Sequence, residues 1–211
     1  MTAKNYPEVV AKYSEYLKLT NYEDESRIFN CAFAAYNAKK YDDAIKFYDM
    51  AIQKGYKADD AYVGKAMSLR SQDKAADFTA TVEAGLKANA QNANLEKLLY
   101  AYCMKKGQAA QKAGKTEEAE ENFKKVIPLN HKTYKTNALY SLGVLCYNDG
   151  ANILKKAAPL ANSDADKYAA EKEKADGRFK EALDYLEEAA KISPENENVK
   201  KMLPQVKAVM K

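Results

Sequence analysis

Ala113-Gly114-Lys115-Thr116 ends as a phosphate-binding loop ends, with a lysine and a hydroxyl placed for phosphate and magnesium. Such a loop requires an earlier glycine, which would fall at Ala109, and a preceding strand. The residues from Gly107 to Lys112 read instead as helix, so Gly114 supplies a turn between paired helices and Thr116 stands near the next helix start. His131 is the only histidine. It lies in the polar break Asn130 to Tyr134 with no nucleophile nearby, which argues against a catalytic or metal role. The carboxylates Asp42 and Asp43, Glu117 and Glu118, and Glu187 and Glu188 are neighbours in sequence. Adjacent helical residues point to different sides, so these pairs cannot converge on one bond, and acidic residues at helix starts answer the helix dipole. Cys31, Cys103 and Cys146 sit in apolar runs without CxxC spacing and read as small buried hydrophobes rather than metal ligands or a disulfide. No catalytic residue, cofactor or metal is expected, and the chain does not read as an enzyme.

The elements that carry these residues are helices. In 211 residues there are only 5 Pro and 8 Gly, beside many Ala, Lys, Glu and Leu, which carry little helix penalty. With 46% hydrophobic residues and 30% charged, the fold class is all-α. The net charge of +4 is spread by interleaved Lys and Glu or Asp, and arginine occurs only at Arg27, Arg70 and Arg178. That pattern is a solvated mixed-charge surface, not the clustered basic face that nucleic acid requires. No apolar run reaches the roughly 18 residues of a membrane-spanning helix, so no membrane insertion is expected. As it stands the sequence reads as cytoplasmic, or as periplasmic or secreted if a leader was removed.

An internal repeat organises the chain. Ala44, Tyr48 and Ala51 recur as Phe78, Val82 and Gly85, as Ala119, Phe123 and Val126, and as Ala182, Leu186 and Ala189, always spaced four and three residues apart. Ala32 to Ala66 and Ala44 to Phe78 are both 34 residues, so both helices of a pair share one period. Helix pairs are expected over 24–55, 59–88, 95–128 and 137–192, with a capping helix over 196–211. A helix over 7–19 is in register as the second half of a unit, so the chain either starts inside a longer array or is capped there by one helix with an apolar edge. In the third pair the spacing from Ala66 to Gly107 grows to 41 residues, and seven extra residues are nearly two helical turns. The added segment, Leu95 to Tyr102, can therefore extend the first helix without turning its buried face away. The fourth pair holds 27 surplus residues, read as a helical hairpin at 153–176 that lengthens both helices around the break Pro159 to Ser163.

A 34-residue helix-turn-helix unit with these residues resembles the tetratricopeptide repeat (TPR), most specifically at Ile28, Ala32, Tyr41, Ala44, Tyr48 and Ala51, and again at Leu139, Gly143, Phe179, Ala182, Ala189 and Pro194. Tryptophan is absent, and Phe78 replaces a small residue. The resemblance implies a right-handed αα-superhelix of about four pairs, a single solenoid over 1–211, whose concave groove is lined by the first helix of each pair. It implies groove positions at Phe29, Phe33, Tyr36 and Asn37; at Val63, Met67 and Arg70; at Met104, Gln108 and Gln111; and at Tyr140, Val144, Tyr147 and Asn148. Such a lining of aromatics and amides suits a partner with apolar side chains and a hydrogen-bonding backbone. Family members that clamp a carboxylate tail have Lys, Arg and Asn where this chain has Phe29, Phe33 and Gly64, so that role is not expected. The expected function is a non-catalytic scaffold that binds a peptide or protein segment. The alternative is a binder of a small ligand of the oligosaccharide type, with Tyr36, Tyr140 and Tyr147 as stacking platforms. Self-association through the N-terminal helix or the 153–176 hairpin is a further expectation.

Overall fold

The computed structural model describes residues 5–210. Among them are ten α-helices and no strand: α1 (Tyr6–Leu19), α2 (Glu25–Asn37), α3 (Tyr41–Gln53), α4 (Ala58–Ser71), α5 (Ala75–Ala88), α6 (Ala93–Lys112), α7 (Thr116–Lys124), α8 (Lys132–Ala157), α9 (Ala165–Ile192) and α10 (Glu197–Val209). A 3-10 turn over Ala158–Asn162 joins α8 to α9. Helices pack on their neighbours in sequence, α2 on α3, α3 on α4, α4 on α5, and α8 on α9, which is the pattern of an all-α helical repeat. The chain divides into two compact units, the boundary falling between Leu98 and Leu99 within α6.

Local chemistry sets the helix ends. The side chain of Asp24 accepts from the Arg27 amide at 2.9 Å, that of Asp164 from the Lys167 amide at 3.1 Å, and that of Asn196 from the amides of Asn198 and Val199 at 3.1 and 3.2 Å. Three pairs share one turn. The amides of Lys40, Lys74 and Lys115 reach back to the carbonyls of Ala35, Leu69 and Ala110 at 2.9, 3.0 and 2.9 Å. This closure requires a left-handed residue just before the donor. It is supplied by Lys39, Asp73 and Gly114 at φ 59°, 57° and 72°. Only the third is glycine, the residue that adopts this conformation without steric cost. The end of α1 repeats the end of α3: Tyr22 N–H donates to Leu17 C=O at 2.8 Å, and Tyr56 N–H to Ala51 C=O at 3.0 Å, 34 residues later.

Small residues meet large ones wherever backbones approach. In the first unit Leu17, Ile28, Ala32, Ala44, Tyr48 and Ala51 form one buried cluster. In the second, Cys146, Ala182, Leu186 and Val206 form another, and Leu139, Ala189 and Val199 a third. A Cβ at Gly107 would lie 2.5 Å from Phe123 Cε1, and one at Gly143 2.6 Å from Leu186 Cγ, so each helix pair is seated against a bare backbone.

Helix boundaries differ from the sequence expectation in three places. α8 begins at Lys132 rather than near Asn137, because tertiary contacts recruit the polar break that local composition marks as loop. The Tyr134 ring lies between Tyr100 and His131 at centroid distances of 4.0 and 3.8 Å, and Asn137 Nδ2 donates to Tyr100 Oη at 2.9 Å. The Thr136 and Ser193 hydroxyls are 2.9 Å apart. α6 begins at Ala93, since the Asn92 side chain accepts from the Leu95 amide at 3.1 Å. α7 stops at Lys124, and single turns then carry the chain to Leu129, whose amide reaches the Val126 carbonyl at 3.2 Å.

The surplus residues of the last pair lengthen both of its helices. α8 runs unbroken to Ala157, and α9 returns from Ala165, with Pro159 in the 3-10 turn between them. Ala157 and Ala175 are buried, and a Cβ at Gly150 would meet Phe179 Cε1 at 2.9 Å and the Ala175 carbonyl at 3.0 Å. The arms therefore continue the close packing of the pair. Within α6, Leu95, Leu99, Cys103 and Gly107 are buried at intervals of four residues, so the extra turns keep one buried face.

Candidate functional site

In the first unit the expected binding positions lie on α2 and α4, which touch each other directly. They differ in availability. Phe29 is half-buried, edge-on to Tyr48 and Tyr56 at 5.8 and 6.2 Å, with Lys57 Nζ 5.3 Å from its centroid. Tyr36 leans on Tyr41 at 5.9 Å. Phe33 is different, with 49% of its surface open to solvent, and Asn37 beside it is exposed while donating to the Phe33 carbonyl at 2.8 Å. On α4, Val63 and Met67 are half-buried and Arg70 is exposed. An aromatic ring of this size left in water on a helix that otherwise buries its apolar residues forgoes about 1 to 2 kcal/mol of burial.

In the second unit the expected positions separate further. Met104 is buried, Val144 is half-buried, and Gln108 and Asn148 are exposed. Tyr140 and Tyr147 pack against the cluster of Cys146, Leu186 and Val206, where Met202 and Leu203 of α10 also lie, and the Tyr147 ring is 5.6 Å from Phe179. Much of each ring is thus engaged by the protein itself.

Gln111 and Asn148 meet at a cleft of about 560 Å³ whose floor includes Leu145. The extension of α8 supplies its far wall. Asn148, Asn152 and Lys156 follow one another at intervals of four residues, which places them along one side of the helix. Thr116, the first residue of α7, and Asp149 complete the polar lining. Among the described residues, the side chains of Gln111, Thr116, Asn148, Asn152 and Lys156 have no hydrogen-bond or ion-pair partner. Asn152, Lys156 and Thr116 are absent from the sequence expectation. The four-residue spacing continuing from Asn148 is a signal for the first two, hidden at Lys156 because the 153–176 arm reads as a solvated hairpin.

A second cleft of about 630 Å³ adjoins the first and shares Gly114, Thr116 and Asp149 with it, the start of α7 and Arg178 completing its lining. Here the cationic side chains are paired, Lys115 with Glu118 at 3.2 Å and Arg178 with three carboxylates. The Arg178 guanidinium binds Glu120 and Glu181, and Asp149 Oδ2 lies 2.8 Å from its Nε. That last contact is an ion pair off the N–H axis, since Arg178 Nε is buried without an aligned acceptor. Burial opposes charge on Glu120, but hydrogen bonds from Lys124, at 2.8 Å, and from Arg178 outweigh it and hold the carboxyl below its ordinary range. Burial pushes the Cys146 thiol up to about 12. Glu120, Cys146 and Glu181 bring one sulfur and two oxygens within 4.8 Å, a donor set for a divalent cation. Arg178 already binds both carboxylates, so its guanidinium takes the place of such an ion. His131 is exposed, and its ring is stacked on Tyr134 away from these groups in sequence. No described helix is long and apolar enough to cross a membrane.

The crystal structure of a TPR repeats protein from Bacteroides fragilis is similar over 98% of this chain and 92% of its own, at 49% identity and a TM-score of 0.93. YrrB, described as a TPR protein with an unusual peptide-binding site, is 19% identical with a TM-score of 0.39 over 90% of this chain and 96% of its own. The TPR domain of P58(IPK) is 11% identical with a TM-score of 0.42 over 98% of this chain and 61% of its own. Neither of these two distant likenesses bears on the site. No protein-family model and no curated protein matches the chain.

Proposed function

This chain belongs to the tetratricopeptide-repeat family, and from that premise we propose that it is a non-catalytic scaffold that binds a peptide or protein segment on the first helices of its repeats. The observation that carries the reading is Phe33, 49% exposed on α2, with Met67 at the equivalent position 34 residues later on the adjoining α4. Apolar side chains of a partner gain burial against this pair, while Asn37 and Arg70 beside it supply polar contacts at its border. In the second unit the corresponding surface is carried by Gln108, Gln111, Val144 and Asn148, with Met104, Tyr140 and Tyr147 supporting it from beneath. Nucleic acid is not favoured, because the charges lining these helices are scattered and of both signs.

The test is peptide binding by the Phe33→Ala, Met67→Ala double variant. Randomised decapeptides bound by the wild-type protein are expected to lose affinity about ten-fold or more, as two anchor residues of about 1 kcal/mol or more each would give. Undiminished binding by a variant with the wild-type circular dichroism and melting curve refutes the assignment.

A further inference from the structure

We propose that the extension of α8 lengthens the binding surface beyond the repeat, and that the cleft between Gln111 and Lys156 holds an extended, acidic stretch of polypeptide. The inference rests on the peptide-binding reading above and adds to it a second subsite and a charge preference.

The unused hydrogen-bonding capacity of the cleft carries the argument. Three carboxamides, those of Gln111, Asn148 and Asn152, line it without a protein partner, and so does the Thr116 hydroxyl. Each carboxamide offers two N–H donors and one C=O acceptor, which is the complement of a peptide main chain with its alternating C=O and N–H groups. The neighbouring cleft behaves differently, since Arg178 and Lys115 there are already bound to carboxylates. Two adjoining clefts of similar size therefore differ in kind, one crossed by an arginine–carboxylate network and one whose amide, hydroxyl and lysine side chains have no protein partner.

Geometry sets the length of the occupant. Asn148, Asn152 and Lys156 span eight residues of helix, roughly 12 Å at 1.5 Å per residue. An extended chain advances about 3.3 Å per residue, so the row faces about four residues of peptide. Charge sets the preference. Asp149 is compensated by Arg178, which leaves Lys156 as the unpaired charge of the cleft. An aspartate or glutamate of the peptide that meets Lys156 completes a charge-assisted hydrogen bond. Leu145 at the base allows one small apolar side chain of the peptide to turn inward.

The experiment measures fluorescence polarisation of labelled decapeptide pools, acetylated and amidated so that no terminal charge contributes. One pool is enriched in Asp and Glu, one is neutral and one is enriched in Lys and Arg; cello- and malto-oligosaccharides serve as competitors. The acidic pool is expected to bind the wild-type protein about ten-fold more tightly than the basic pool. Lys156→Glu should reverse that order, and Asn152→Ala should weaken all peptide pools alike. If Phe33→Ala with Met67→Ala abolishes binding while Lys156→Glu and Asn152→Ala change nothing, the cleft is not a subsite and only the first reading survives. Failure of every pool to bind overturns both readings. An oligosaccharide that binds and is lost in Asn152→Ala overturns the peptide as occupant. Lys156 and Asn152 are exposed, and unchanged melting of both variants separates these outcomes from misfolding.

Discussion

Two glycines in the middle of helices of the second unit should respond to alanine with opposite signs. Gly177 in α9 is exposed, and a Cβ there meets nothing within 4 Å. Gly177→Ala should therefore show the full helix-propensity gain of about 1 kcal/mol. Gly107 in α6 carries the same propensity deficit, but a Cβ there would lie 2.5, 2.7 and 2.9 Å from three atoms of the Phe123 ring. Carbon atoms rest about 3.5 to 4 Å apart, so the ring must retreat by roughly 1 Å. Phe123 is fully buried, so its retreat must displace other core atoms. Overpacking of this kind costs about 1 to 3 kcal/mol. Gly107→Ala should thus lose about 1 kcal/mol after the propensity gain is subtracted, and the two variants should differ by about 2 kcal/mol. Urea titration followed by circular dichroism at 222 nm reads this as shifts of midpoint at constant slope. In melting, the variants should lie roughly 4 to 8 °C apart. A smaller ring partner provides the internal check, because Phe123→Leu should cost less when combined with Gly107→Ala than alone. If Gly107→Ala stabilises the protein as Gly177→Ala does, close approach is not what selects glycine at the crossing points.

The shared turn yields a second prediction: Lys39→Gly and Asp73→Gly should each stabilise by about 0.5 to 1 kcal/mol in urea titration, because glycine removes the left-handed strain and gives back part of the gain as chain entropy. Gly114→Ala should destabilise by about 1 kcal/mol at the equivalent position. Glu120 supplies the third. Its carboxyl titrates lower in the folded protein than its usual value, so its contribution is complete above the ordinary glutamate range and is lost as pH falls through the depressed folded value. Melting temperatures measured downward from pH 6 should fall less steeply for Glu120→Gln than for wild type; parallel curves would contradict the role given to Arg178 and Lys124.

The repeat register was legible because two periodicities reinforce each other. A helix face recurs every four and three residues, and the pair recurs every 34, so Ala44, Tyr48 and Ala51 find their counterparts without knowledge of contacts. The extra turns of α6 were legible for the same reason, since a nearly integral number of turns keeps Leu95, Leu99 and Cys103 on one face. The first turn of α8 was not. Lys132 to Thr136 has no apolar period, and its helix is held by a tyrosine of α6 and a serine beyond α9, both distant in sequence. Repeat position assigns the candidate residues to the first helix of each pair, but it does not give their exposure. Phe29 and Phe33 are the same residue type four positions apart; the presence of Tyr48, Tyr56 and Lys57 against one of them distinguishes a packed ring from an open one. The cleft at Asn152 and Lys156 depends on how the α8 extension meets the Gly114 turn, which no local pattern encodes.

Because the insertion continues two helices instead of forming a loop, it behaves as a cantilever. From Gly143 to Ala157, α8 projects about 21 Å at 1.5 Å per residue. Its mount begins at the contact of Gly143 with Leu186 and is braced by Arg178, which bridges Asp149 to Glu120 of α7, while Gly150 against Phe179 ties the two arms together along the way. A rotation of about 5° at the mount carries the tip through roughly 2 Å, by the same rise per residue. The packing that seats the last repeat is thus the base from which the arm carries Lys156, and a change of one methyl group at Gly143 should be magnified toward the far end of the arm.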